Sequence, residues 1–204
     1  LVKFDDIPEG LAPLPNGTIT LLTDFSTSDH FTGVMKGVIL EMAPQAHMVD
    51  ITHQISPQDV MQGAHMLAEA TPYFAPGTVH VAVVDPGVGT NRRALAAHIG
   101  TQYYVAPDNG LLSFVLQQAQ KNGEIIEIFA LDQSKYWLSR VSHSFHGRDI
   151  FAPVGAHLAN GLPIEKLGTP IDDPVIIKAS EPIRKETGWV GEVISIDTFG
   201  NLST

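Results

Sequence analysis

Residues 78–93, TVHVAVVDPGVGTNRR, contain the plainest structural signal in the chain. The apolar run TVHVAVV predicts a buried strand, and Asp85 follows it directly, at the start of a turn rich in proline and glycine. Arg92 stands seven residues after this carboxylate. The stretch therefore predicts a strand that ends at an acid, with a guanidinium close behind it.

Strands and helices alternate on both sides of this stretch. Further strand-like runs occupy residues 18–25, 47–55, 94–100, 102–110 and 124–131. Helices are predicted over residues 31–42, 57–70, 110–120 and in the segment that ends at Gly161. For the second helix, Ser56 is the expected N-cap and Pro57 the first helical residue. The alternation predicts an α/β fold whose mostly parallel or mixed sheet is flanked by helices.

Composition limits the classes of function. The 204 residues are 44% hydrophobic and 17% charged, which is typical of a globular protein with one sizeable core. The net charge of −10 argues against nucleic acid binding. Cysteine is absent from the sequence, which excludes disulfides and thiolate chemistry, and no apolar run approaches the roughly 18 residues of a membrane span. We expect a soluble, cytoplasmic protein with a small-molecule ligand and no nucleic acid or membrane partner.

Three segments are expected along the chain. An α/β domain covers residues 18–163, a proline-containing linker covers 164–188, and a C-terminal β domain starts at 189. The chain begins with Leu1, and its last residues, WVGEVISIDTFGNLST, read as a strand region that has just begun. We therefore expect the natural protein to continue beyond Thr204, with most of the C-terminal domain absent here.

Polar residues stand where three of the predicted strands end. These are Asp24, Asp85 and the pair Asp108 and Asn109. Ligands of open α/β sheets bind at the carboxyl ends of the strands, so this edge is the predicted site. Asp24 is suited to accept hydrogen bonds from two hydroxyl groups, as acids do with ribose diols.

Two interpretations of Asp85 remain open at this level. As a structural residue, it would terminate a turn and form an ion pair with Arg92. As a functional residue, it would be a carboxylate positioned to orient or deprotonate a nucleophile such as water. The segment is not a phosphate-binding loop, because it lacks the required glycine and lysine spacing.

The segment SFHGRDIF places a second candidate, His146, just before a predicted helix. A helix N-terminus disfavours a protonated imidazole, so His146 is expected to be neutral. Gly147 allows a ligand to approach the backbone. Arg148 and Asp149 are expected to be structural and to pair with each other or with the scaffold, and Asp29 in the loop TDFSTSDHF could equally be a helix cap. Histidines occur throughout the chain without the spacing of a metal site, so no metal is predicted.

Five motifs taken together resemble the S-adenosylmethionine hydroxide adenosyltransferases, adenosine-forming hydrolases related to the fluorinases and chlorinases. They are TLLTDF, VVDPGVGT with the following Arg92, APDNGLL, FHGRDIFAP and IDTFGN, in this order from Thr18 onward. The resemblance implies an N-terminal α/β domain and a smaller C-terminal β-barrel domain. It also implies a homotrimer whose substrate lies between one subunit's N-terminal domain and a neighbour's C-terminal domain.

The same resemblance implies roles for individual residues. Asp85, Arg92 and His146 would act on water, which attacks C5′ of S-adenosylmethionine, and no cofactor is needed because sulfur leaves as a neutral thioether. The implied substrate-binding residues are Asp24 at the ribose diol, Asp29 and Asp197 at the methionine ammonium, Phe199 and Asn201 at the adenosine, and also Gln58, Asn109, Ser144, Phe145 and Gly147.

Departures from the halogenating relatives favour water as the nucleophile. Those enzymes carry Tyr where Asp85 stands and Tyr-Ser in place of His146 and Gly147, and Gln58 replaces a tryptophan that covers their substrate. A carboxylate repels a halide but can accept a proton from water. A halide-dependent adenosyltransferase and a non-catalytic adenosine or S-adenosylmethionine sensor are the alternative functions.

Overall fold

The computed structural model describes residues 13–178, 182–197 and 199–203. Its strands are β1 (Thr18–Thr23), β2 (His47–Thr52), β3 (Val79–Val83), β4 (Ala94–Ile99), β5 (Gln102–Pro107), β6 (Ile126–Leu131), β7 (Gly168–Pro170), β8 (Ile183–Lys185), β9 (Gly188–Val190), β10 (Ser195–Ile196) and β11 (Leu202–Ser203). Its α-helices are α1 (Phe31–Met42), α2 (Val60–Ala70), α3 (Ser113–Asn122) and α4 (Ala152–Ala159).

The first seven strands form one mixed sheet in the order β2-β1-β3-β5-β4-β6-β7. Strands β2, β1, β3 and β5 run parallel, whereas β4, β6 and β7 join antiparallel. Every residue of β3, β4 and β5 is buried, which is the pattern expected of strands covered on both faces. The α/β prediction with a mixed sheet is confirmed.

Helices cover both faces of the sheet, and alternate strand residues point into two separate cores. On one face, Leu21 and Val81 belong to the core that contains α1 and α4. On the other, their neighbours Leu22 and Ala82 belong to the core that contains α2 and α3. Burial of each large aliphatic side chain stabilises the fold by about 1.5–3 kcal/mol. The two cores fix the strand ends, and thereby the residues that follow them.

The start of α2 differs from the prediction, because Asp59 rather than Ser56 is the N-cap. Asp59 Oδ1 accepts a hydrogen bond of 2.9 Å from the Gln62 backbone N–H. The Gln62 side chain in turn accepts one from the Ser56 backbone N–H. Between them, Gln58 has a φ of +67°, which no right-handed helix accommodates. The helix therefore begins three residues later than predicted.

Two further helix starts also depart from the sequence prediction. Helix α3 begins at Ser113, because Gly110 has a φ of +98° and lies in the preceding turn. Residues Gly147–Phe151 form a single π-helical turn that continues into α4. Gly161, with a φ of +84°, follows the end of α4 as predicted.

The predicted linker and C-terminal region contain short strands. Residues 168–170 of the linker form β7, the edge strand that pairs with β6. Strands β8 and β9 pair with each other, as do β10 and β11, in two separate two-stranded sheets. The described residues include no helix long and apolar enough to cross a lipid bilayer.

Candidate active site

A cavity of about 300 Å³ lies at the carboxyl ends of β1 and β3. Seven residues predicted for the site line it: Asp24, Gln58, Asp85, Ser144, Phe145, His146 and Gly147. A larger cavity of about 420 Å³ lies elsewhere, near Thr71, Gln102 and Glu124, and none of the predicted site residues lines it. The smaller cavity is therefore the candidate active site.

Arg92 does not itself line the cavity, but it forms a tight ion pair with Asp85, which does. Its Nε lies 2.9 Å from Oδ1 and 3.0 Å from Oδ2 of Asp85, and its Nη2 contacts Oδ2 as well. The two side chains are only 10% and 5% exposed. The guanidinium carbon also lies 5.2 Å from the centre of the Phe151 ring. The guanidinium thus fixes the carboxylate while Asp85 still reaches the cavity.

His146 joins this pair through a second donor hydrogen of the same guanidinium. Nη2 of Arg92 lies 2.9 Å from Nδ1 of His146. Since a guanidinium can only donate, Nδ1 must accept, and a neutral ring then carries its hydrogen on Nε2. Burial lowers the pKa of His146, and the positive charge of Arg92 lowers it further against the opposing effect of Asp85. His146 is accordingly neutral at pH 7 and presents an N–H donor at Nε2.

The neighbouring Asp149 stabilises the turn that carries His146. Its fully buried carboxylate accepts hydrogen bonds of 2.8 Å from both the backbone N–H and the hydroxyl of Ser142, and one of 2.6 Å from Arg148 Nε. Burial alone would raise the pKa of Asp149, but these bonds outweigh it and hold the pKa below its usual value. The prediction that Arg148 and Asp149 form a structural pair is confirmed.

The loop between β3 and β4, which carries Asp85 and Arg92, crosses over the carboxyl end of β5. Where the loop begins, Asn109 Nδ2 donates a hydrogen bond of 2.8 Å to the Val84 carbonyl. Where the loop ends, Arg93 Nε donates a hydrogen bond of 2.7 Å to Asp108 Oδ2. Asn109 was predicted to bind substrate, but its amide is used in this support and it does not line the cavity.

Gly89 brings the same loop against the segment that leads to His146. Its φ is +77°, and a Cβ at this position would lie 2.3 Å from the His143 carbonyl oxygen. Only glycine permits both the left-handed conformation and this approach. The contact explains how Arg92 and His146, 54 residues apart, come within hydrogen-bond distance.

Six residues of the predicted site lie outside the cavity lining: Arg92 and Asn109, described above, and Asp29, Asp197, Phe199 and Asn201. Asp29 is exposed in the β1–α1 loop. Asp197 accepts hydrogen bonds from the backbone N–H groups of Phe199 and Asn201, and these three residues form a turn of their own. Phe199 is 91% exposed. In the described ranges 13–178, 182–197 and 199–203, no His, Asp and Glu side chains cluster in a way that could hold a metal ion.

Residues 19–168 match the family described as "SAM hydroxide adenosyltransferase N-terminal domain". The chain belongs to the SAM hydroxide adenosyltransferase family. This assignment confirms the resemblance drawn from the five motifs.

Relatives of this adenosyltransferase chain include both hydrolases and fluorinases. It is 42% identical to an (R)-S-adenosyl-L-methionine hydrolase of Salinispora arenicola, over 90% of this chain and 70% of that protein. It is 29% identical to a fluorinase of an Actinoplanes species, over 93% and 71% of the two chains. An uncharacterized conserved protein of Thermotoga maritima has a similar structure, with a TM-score of 0.84 and 40% identity over 90% of this chain and 69% of that one.

Two of the three aromatic residues that line the cavity, Phe25 and Phe31, were not predicted from the sequence. Phe25 and Phe31 line it together with Phe145, whose ring meets theirs edge-on at 5.8 and 5.1 Å between centres. From the sequence, Phe31 is predicted only as the first residue of a helix. The available signal was the position of Phe25, directly after Asp24 at the end of β1.

Proposed function

We propose that this protein hydrolyses S-adenosyl-L-methionine to adenosine and L-methionine. The single observation that carries the proposal is the contact of Arg92 with both Asp85 and His146, two residues that line one cavity. The hydrolase relatives, which are more similar to the chain than the fluorinases are, support the same reaction.

The reaction is a displacement at C5′ of the substrate. The water oxygen forms a bond to C5′ while the C5′–S bond breaks, and its electron pair stays on sulfur. The sulfonium thereby becomes the neutral thioether of methionine, so the leaving group needs neither an acid nor a cofactor. Catalysis must therefore act on the nucleophile, since a water molecule has to be held in line with the C5′–S bond and has to lose a proton.

Asp85 is the proposed proton acceptor. A carboxylate offers about four acceptor positions, so the bonds from Arg92 leave capacity for a water molecule. His146 cannot take this role while Nδ1 accepts from Arg92, because its Nε2 then carries hydrogen. We assign His146 to donate from Nε2 to the water oxygen, and Arg92 to hold both partners. A halide in place of water would meet the negative charge of Asp85.

The remaining cavity residues suit a nucleoside. We assign the ribose diol to Asp24 and the adenosine to the aromatic wall of Phe25, Phe31 and Phe145, because aromatic side chains pack favourably against the planar rings of a nucleobase. Gln58, Ser144 and Gly147 line the same space.

The product distinguishes this function from its alternatives. The purified protein is incubated with S-adenosyl-L-methionine in ¹⁸O-labelled water, and the products are separated and weighed by mass spectrometry. We expect adenosine with the label in its 5′-hydroxyl, together with methionine. Parallel reactions with chloride or fluoride should give no 5′-halogenated adenosine. Methylthioadenosine alone, as in a protein-free control, or binding without turnover would refute the hydrolase function.

We further propose a homotrimer in which a neighbouring subunit completes the cavity. The C-terminal segment supports this, because it exposes Trp189 and Phe199 at 68% and 91%. In the trimer, Asp29 and the neighbour's C-terminal β domain, beginning near residue 189 after a linker, would contact the methionine and adenosine ends. Light scattering after gel filtration should give the mass of three chains; a monomer that is fully active would contradict the proposal.

A further inference from the structure

The Asp24 carboxylate is held by two loops that are bonded to each other. One is the β1–α1 loop, residues 24–30, and the other is the β2–α2 loop, residues 53–59. The Gln58 backbone N–H donates to Asp24 Oδ2 at 2.8 Å. Among the described residues, none donates a hydrogen bond to Oδ1 of Asp24, and Asp24 lines the cavity. One oxygen is thus fixed by the protein, and the other remains for a ligand.

Both loops adopt backbone conformations that are costly for their residues. Ser26 and Gln58, with φ of 61° and 67°, are the non-glycine residues with positive φ in the described parts of the chain. One stands two residues after Asp24, and the other donates to it. Such conformations persist where the surrounding structure enforces them, and they concentrate at functional sites.

His53 is the residue that ties the two loops together on the buried side. It is 4% exposed, and its Nδ1 lies 2.8 Å from Thr23 Oγ1, directly before Asp24. Its backbone carbonyl accepts the Ser26 N–H at 2.8 Å, directly after Phe25. A single residue therefore holds the chain on both sides of the Asp24 carboxylate.

The direction of these hydrogen bonds is fixed by the neighbours of His53. Its Nε2 lies 3.1 Å from Asp50 Oδ1, a contact too poorly aligned for a good hydrogen bond but one that favours hydrogen on Nε2. Nδ1 then accepts the Thr23 hydroxyl, whose oxygen accepts the Phe25 N–H at 3.2 Å. The turn that presents Asp24 is thereby bonded through Thr23 to His53.

We propose that His53 is a positioning residue, which through Thr23 sets the Asp24 carboxylate to select the vicinal diol of a ribonucleoside. His53 itself does not line the cavity. The proposal rests on the nucleoside substrate of the proposed function and names the residue behind its sugar selectivity.

The test measures the affinity of the purified protein for adenosine and for 2′-deoxyadenosine by calorimetry. Loss of one hydrogen bond to a charged group should weaken binding of the deoxynucleoside by about tenfold or more. His53→Gln places an amide near the former Nε2 and loses the Thr23 bond. The ratio of the dissociation constant for 2′-deoxyadenosine to that for adenosine should therefore fall to about two or three. His53→Asn places its amide near the former Nδ1 and should keep the ratio within about twofold of the wild type.

Controls separate positioning from general destabilisation. His98→Gln removes another buried histidine, on β4, and should lower the melting temperature without changing the ratio. Thr23→Val keeps the side-chain shape but removes the hydroxyl, and should reproduce the effect of His53→Gln even if that variant folds poorly.

The inference would be overturned if the affinity ratio for the two nucleosides were the same in all variants, or if it fell equally in His53→Gln and His53→Asn. A wild type that binds both nucleosides equally well would overturn it too. A protein that binds neither nucleoside would instead count against the proposed function.

Discussion

Asp85→Asn is expected to lower the turnover of S-adenosyl-L-methionine by about 100-fold or more, the usual contribution of a positioned acid–base group. The amide keeps the shape of the carboxylate but removes its negative charge and its capacity to take a proton from water. One face of the amide also presents N–H groups to Arg92, where two oxygens now accept. Initial rates of adenosine formation measure the loss.

Two measurements show whether the loss is chemical. Adenosine affinity should remain within a few-fold of the wild type, because Asp24 and the aromatic wall are unchanged. Asp132→Asn, which removes one negative charge at an exposed position bonded to Thr169, should leave turnover unchanged. Near-normal turnover in Asp85→Asn would reduce Asp85 to the structural ion pair considered from the sequence.

The second large effect concerns stability in acid, and it originates at His80 in β3. This side chain is fully buried, with Nδ1 2.7 Å from Thr20 Oγ1 and its ring against Phe74 and Tyr104. Burial lowers the pKa of His80 from 6.5 to about 3. Below pH 6.5 the unfolded chain binds a proton at His80, whereas the folded chain does so only near pH 3. The contribution of His80 to the free energy of unfolding is therefore fully present above pH 6.5 and is lost as the pH decreases toward 3.

Each pH unit in this window costs about 1.4 kcal/mol, so about 3 kcal/mol should be lost between pH 7 and pH 4.5. For a chain of this size that corresponds to a melting temperature lower by roughly 6 to 12 °C. His80→Asn keeps a polar atom near Thr20 but cannot be protonated, so its melting temperature should depend less on pH, although it begins lower because the ring packing is lost.

Scanning calorimetry between pH 7 and pH 4.5 compares the slopes. His47→Asn, at an exposed position on β2, should retain the slope of the wild type. Identical slopes for the wild type and His80→Asn would show that another group causes the acid sensitivity.

Much of the fold was predictable because its signals are local. Strand β3 and helix α1 were recognised from the spacing of apolar residues, and the polar residues after β1 and β3 from their position at strand ends. The start of α2 was not predictable, because Ser56, Pro57 and Asp59 all carry helix-start signals. The choice of Asp59 depends on Gln58, whose backbone conformation is stabilised by a bond to Asp24 in another loop.

The site was predictable as a set of residues and not as a geometry. Nothing local indicates that one guanidinium contacts both Asp85 and His146, since that requires the π-helical turn and the close approach at Gly89. Asn109 shows a related limit, because its side-chain amide donates to the Val84 carbonyl in the structure. A polar residue at a strand end suits a ligand and a neighbouring loop equally well, and only tertiary structure distinguishes the two.

The β3–β4 loop is supported by Asp108 and Asn109, which follow β5, whereas the groups that the loop presents to the cavity follow β3. A substitution at Asp85 therefore leaves the hydrogen bonds of Asp108 and Asn109 to the loop in place. Evolution can therefore change the reactive group at position 85 while the bonds that position the loop backbone are kept.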